Sequence, residues 1–140
     1  MEIRVVTVQF ENAETSVPMP ADLPPHLVER LMGTPAAIAR LRALAPDAVI
    51  VDVSGRRVDE STALLRRIRG ASPRSKILVI GDAGDIAMAR EAVLAGAAAY
   101  LSRHRSAFAL SEALRSIVKG GWHLSPTGKQ AVASLLGNPG

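Results

Sequence analysis

Apolar residues in this chain fall into short unbroken runs, with stretches of helical spacing between them. Residues 3–8 and 76–80 are rich in β-branched side chains, and Ala48, Val49, Ile50 and Val51 run straight into Asp52 and Val53. Runs this short and this apolar predict strands buried on both faces, as in a parallel sheet. Between them, Thr34 followed by Pro35 reads as an N-cap with proline at the first helical position. Ile38, Leu41 and Leu44 give that helix its apolar face, and it stops before Pro46. A helix over about 60–69 points Leu64, Leu65 and Ile68 inward, with Gly70 as its stop. A third helix, 85–95, turns Ile86, Ala89 and Val93 to the core and leaves Met88 and Leu94 as exposed apolar groups. A strand over 97–102 follows. Ser106 then caps a last helix with Leu110, Leu114 and Ile117 inward, ended by Gly120 and Gly121.

Two regions do not resolve this way. Pro18, Pro20, Pro24 and Pro25 make 12–25 a loop or a broken helix, since each proline removes a donor and clashes with the preceding turn. Residues 26–32 read equally as one helical face or as an edge strand. Past Trp122, which is expected to pack the tail on the last helix, His123 to Pro126 are extended. A weak helix near 127–136 closes the chain. Strand and helix alternate, which predicts a parallel sheet with helices on both faces.

The chain's 140 residues suit one domain. It has no cysteine, so disulfide and thiol chemistry are excluded. There is neither a signal-like N-terminus nor an apolar stretch long enough to span a bilayer, so the expected location is cytoplasmic with no membrane partner. Net charge is +4, and seven basic residues lie between Gly55 and Lys76 against Asp59 and Glu60. With one Trp, one Tyr and two Phe there is little for bases to stack on, so this run reads as a solvated helix face rather than a nucleic-acid surface. His26, His104 and His123 show no metal spacing. No nucleophile–base pair or glycine-rich phosphate loop is present, so an enzyme is not expected.

Pro46 and Asp47 before a strand ending in Asp52, the strand 77–80, and the stretch Glu91 to Arg103 that carries Tyr100 together resemble a CheY-like receiver domain of a two-component response regulator. The segment 120–126 is similar to the one that leaves the receiver in LuxR/NarL-type transcriptional regulators. The resemblance covers about 1–126 and is strongest from 46 to 126. It implies a flavodoxin-like three-layer α/β fold, a parallel five-stranded sheet of order 2-1-3-4-5, here with the first helix shortened or disrupted. The receiver is expected over 1–121. A linker or tail, 122–140, then leads toward a helix-turn-helix output domain that this chain does not contain.

In that family the position of Asp52 accepts a phosphoryl group. An acidic pair ending the first strand helps to hold Mg²⁺, and a hydroxyl residue ending the fourth strand binds phosphoryl oxygens. A lysine after the fifth neutralises them, and an aromatic residue on the fifth strand reports the change by swinging inward. Carried over, the acidic pair falls on Gln9 and Phe10, the hydroxyl on Gly81 and the lysine on Arg103. Asp52 and the switch position Tyr100 are kept. Any Mg²⁺ would rest on Asp52 and on Glu11, which is offset by one position; otherwise no cofactor is expected. Without the metal, phosphoryl transfer loses the charge that neutralises its transition state.

The expectation is therefore an atypical, phosphorylation-independent receiver that regulates transcription, reaching DNA only through its output domain. Two alternatives stand beside it. One is a working phospho-aspartate receiver using Asp52 and Mg²⁺; the other is a receiver-like interaction module of a larger ATPase or assembly protein. The expected partners are a protein or sensor kinase, or a second copy docking on the face of helix 85–95, strand 97–102 and helix 106–119.

Overall fold

The computed structural model describes residues 3–10, 25–104 and 107–137. Six parallel strands form one sheet: β1 (Ile3–Gln9), β2 (Pro25–Met32), β3 (Ala48–Asp52), β4 (Lys76–Gly81), β5 (Ala99–Ser102) and β6 (His123–Leu124), in the order β2-β1-β3-β4-β5-β6. The expected order 2-1-3-4-5 holds, and the five-stranded expectation is corrected to six. β6 adds itself to β5 through Ala99 opposite His123 and Tyr100 opposite Leu124. The open reading of 26–32 resolves as the edge strand β2, paired with β1 with a register shift between Val5 and Val6. The expected disruption of the first helix falls on 12–25, and all of that segment but Pro25 lies outside the described residues, as do Glu11 and Ser106.

The period of two in the strands decides the layers. Val6, Val8, Val49, Val51, Ile77 and Val79 face one side, where they meet four helices: α1 (Pro35–Leu44), α2 (Val58–Ala71), α3 (Ile86–Leu94) and α5 (Pro126–Leu135). Val5, Ala48, Ile50, Leu78, Ile80 and Leu101 face the other, against Leu110, Leu114 and Ile117 of α4 (Ala107–Val118). Each of those three α4 side chains contributes about 1.5–3 kcal/mol by leaving water. Thr34 caps α1 as its sequence implies, its Oγ1 accepting the Ala37 N–H at 3.2 Å. Among the described residues no helix is long and apolar enough to cross a membrane.

Four local expectations change. Helix α2 starts at Val58 and runs through Gly70 to Ala71, because an exposed glycine lowers helix propensity without ending the hydrogen-bond ladder. In α3, Met88 is buried rather than exposed, along with Ala89 and Ala92, while Ile86 and Val93 are only half-buried. The cause is α5, which packs beside α3 and rotates the covered stripe. Leu94 is exposed as expected, but Trp122 is 61% exposed and does not hold the tail down. That role falls to α5. Ala131 is buried in the core, and Thr127 Oγ1 accepts the Gly84 N–H at 2.9 Å. The stretch expected as a linker thus supplies a strand and a helix to the folded body.

Candidate functional site

In a parallel sheet all strand ends of one polarity share an edge, and open α/β sheets place ligands at the carboxyl edge. The register here puts Val8 opposite Val51, Asp52 opposite Ile80, and Gly81 opposite Ser102. Gln9, Asp52, Gly81 and the residues just beyond them therefore line one rim. Arg103 joins it through its N–H, which donates to the Gly81 carbonyl at 2.9 Å. The carried-over positions are brought together, apart from Glu11, which lies outside the described residues.

Their contacts differ from those of a phosphoryl site. Asp52 is half-buried, and its Oδ1 accepts the Ser54 N–H at 2.9 Å, a turn that braces its own loop. Arg103 does not reach Asp52 in an ion pair. Its Nη1 sits 3.7 Å from Asp82 Oδ1, with both side chains well exposed, so this pair contributes at most about 1 kcal/mol. Gln9 turns its amide toward β2, its Nε2 lying 4.0 Å from Met32 Sδ. Phe10 is partly buried against the core, and the Arg56 guanidinium lies over its ring, 4.7 Å from the centroid. A cation over an aromatic face is attracted by the ring quadrupole. The position where the resemblance places a metal-binding acid is thus used for packing, with a cation over the ring.

Magnesium requires near-octahedral oxygen ligation and gives up water reluctantly. Among the described residues no three His, Cys, Asp or Glu side chains converge in a way that could hold a metal. Phe10 offers no oxygen, and a cation already stands over it. Of the two side chains expected to hold Mg²⁺, Asp52 has its Oδ1 engaged by the Ser54 N–H and Glu11 lies outside the described residues.

Tyr100 is fully buried on β5, and its hydroxyl donates to the Asp82 carbonyl at 3.2 Å. It fills the space that a side chain at position 81 would need: a Cβ on Gly81 would fall on the Tyr100 hydroxyl and 2.7 Å from Cζ. Burial first, and then the Asp85 and Asp82 carboxylates, push the Tyr100 hydroxyl above the ordinary range of a phenol. At the base of the same side chain, Gly128 of α5 comes close to Tyr100, and a Cβ there would stand 3.4 Å from Tyr100 Cβ.

Asp82 is the residue that sequence reasoning missed. Its Oδ2 accepts the Gly55 N–H at 2.8 Å, its Oδ1 faces Arg103, and its carbonyl holds Tyr100. It ties the loops after β3, β4 and β5 together. An acid directly after the buried run 76–81 was the available signal, but its three partners come from distant parts of the chain.

No family model matches this sequence, and no curated protein is similar to it. Its structure is similar to that of a two-component response regulator of the LuxR family from Aurantimonas sp. SI85-9A1, with a TM-score of 0.72 and 21% identity over 97% of this chain and 99% of that one. It is also similar to the isolated REC domain of RcsB from Salmonella enterica serovar Typhimurium in the presence of phosphomimetic BeF3⁻ (TM-score 0.67, 15% identity, 94% of this chain and 99% of that one). A third likeness is to the signal receiver domain of the response regulator NarL from Mycobacterium tuberculosis, with a TM-score of 0.61 and 18% identity over 85% of this chain and 98% of that one. The chain has the CheY-like receiver fold.

Proposed function

We propose that this chain is a receiver domain of the LuxR/NarL response-regulator type that signals without phosphorylation of Asp52, acting in the cytoplasm on transcription through an output domain. The observation that carries this reading is the mutual exclusion of a side chain at 81 and the ring of Tyr100. The resemblance gives the hydroxyl residue the task of binding phosphoryl oxygens and the aromatic residue that of swinging inward in response. Here the hydroxyl is absent and the ring already occupies the inward space, its hydroxyl donating to the Asp82 carbonyl. Arg103, at the position of the charge that neutralises the phosphoryl group, faces Asp82 across 3.7 Å, and Arg56 stands over Phe10. Asp52 then serves as a loop brace.

Partner contact, with a protein or a second copy, falls on the α3–β5–α4 side, where Leu94 and Phe108 are exposed apolar groups. Part of that side is already under α5, so the partner meets α4 and the outer rim of α3.

Incubation with Mg²⁺ and acetyl phosphate, followed by intact-mass measurement, tests the reading. The expected result is an unchanged mass. A phosphate adduct that disappears in Asp52→Asn would overturn it in favour of a working phosphoacceptor.

A further inference from the structure

The arginine-rich run of α2 is not used by the site at the carboxyl rim. Arg66 and Arg67 project from the exposed face of α2, opposite the buried Leu64, Leu65 and Ile68. Arg69 lies in the last turn of α2, its guanidinium beside Gly96, and Arg42 lies in the last turn of the neighbouring α1. Arg74 follows α2, and Lys76 opens β4. Helices here run back against the strands, so the ends of α1 and α2 and the start of β4 share one pole of the domain. Six cations gather on that pole and the adjoining half of α2.

Among the described residues most carboxylates lie elsewhere or are engaged, with Glu91 in the last turn of α3 and Asp47 the acids at this pole. Asp52, Asp59, Glu60, Asp82 and Asp85 belong to the opposite rim or to the helix starts facing it. Glu29 is held by Arg40 through two bonds of 2.7 Å, and Asp59 by Arg57 at 2.9 Å. Asp47 is the acid nearest Arg74 and Lys76, sharing a recess of about 250 Å³ with them, and its Oδ2 accepts the Arg4 N–H at 2.8 Å. A favourable field from the helix C-termini accounts for cations in a last turn, such as Arg42 and Arg69. It does not account for Arg66 and Arg67, which stand further up the helix. Arg66 and Arg67 stand on a solvated helix face, as the sequence implies, and the helix sets them apart from Asp59 and Glu60 at its start.

We infer that this face binds the phosphate backbone of double-stranded nucleic acid, independently of base sequence and of any output domain. Guanidinium forks match phosphate oxygens two at a time, which favours an arginine face for phosphate. No aromatic residue lies in α2, and the exposed Trp122 stands before β6, two strands along the sheet from Lys76, so the arginine face itself has nothing to stack on splayed bases and the duplex backbone is the chemistry read. This inference stands apart from the function proposed for the Asp52 rim.

Fluorescence anisotropy with a labelled duplex of arbitrary sequence, of about 20 base pairs and at about 50–200 mM KCl, tests it directly. Binding is expected with a log–log salt slope of about −4 to −5, since each phosphate neutralised contributes about −0.9. The triple variant Arg66→Gln, Arg67→Gln, Arg74→Gln should flatten the slope by about 3 units, while Lys129→Gln on α5 leaves it unchanged. No binding at low salt overturns the inference, as does equal weakening by Lys129→Gln. Tighter binding of polyglutamate or of phosphatidylglycerol vesicles than of duplex also overturns it, and would assign the face to an acidic protein or a lipid surface.

Discussion

Gly81 and Tyr100 share one volume: the ring of the tyrosine lies where the side chain of residue 81 would be. Gly81 does not have a positive φ, so its backbone would accept alanine, and the cost of Gly81→Ala is steric alone. Overpacking of this kind costs about 1–3 kcal/mol, measurable as a lowered urea midpoint. In a Tyr100→Leu background the same change should cost much less, which a double-mutant cycle reads as coupling. Equal costs in both backgrounds would show that the two positions do not compete.

Tyr100 also sets a pH dependence. Its hydroxyl is raised by burial and by Asp85 and Asp82, so the folded state holds the proton after the unfolded chain has begun to lose it. A raised group contributes stability that is complete below the unfolded value, about 10 for tyrosine, and is lost as pH rises beyond it. Stability should therefore fall above about pH 10, and Tyr100→Phe should remove that part of the fall. Because Tyr100 is the chain's one tyrosine, phenolate absorbance follows its ionisation without interference.

Helix α5 is tethered at its start by the Thr127 acceptor for the Gly84 N–H. Thr127→Val keeps the shape and removes that acceptor, at a cost of about 0.5–1.5 kcal/mol because Gly84 is exposed and water reaches its freed N–H. Hydrogen exchange should report it as faster exchange at the Gly84 amide and through α5, with β3 unaffected. Gly128→Val should loosen the same helix by another route, since its Cβ would stand 3.1 Å from Leu124 Cβ.

Ala45 closes α1 in the left-handed region, at φ 43 and ψ 57, with its N–H bonded to the Leu41 carbonyl. A Cβ in that conformation costs roughly 1–2 kcal/mol. Ala45→Gly removes the clash but gives the unfolded chain about 0.4–1 kcal/mol more conformational entropy to lose. A net gain of about 0.5–1 kcal/mol is expected, seen as a raised denaturation midpoint at unchanged slope.

Much of this protein is written locally in the chain. The apolar runs at 3–8, 48–53 and 76–80 determine buried parallel strands, because β-branched residues without polar alternation suit a sheet covered on both faces. Thr34 with Pro35 determines the start of α1, since a cap and its helix are neighbours. The alternation of these elements determines a parallel sheet, and any parallel sheet brings the end of β3, with Asp52, to the carboxyl rim. What the tertiary structure decided depends on residues far apart in sequence. His123 and Leu124 become a strand only because β5 offers an unpaired edge, and Met88 is buried only because α5 lies beside α3. Asp82, not Asp52, takes Arg103, and the missing side chain at 81 gains meaning only with Tyr100 standing in its place. Local pattern determines which elements form, because periodicity and capping act within a few residues. Which side chains meet at their ends is decided by packing, and packing is a property of the whole fold.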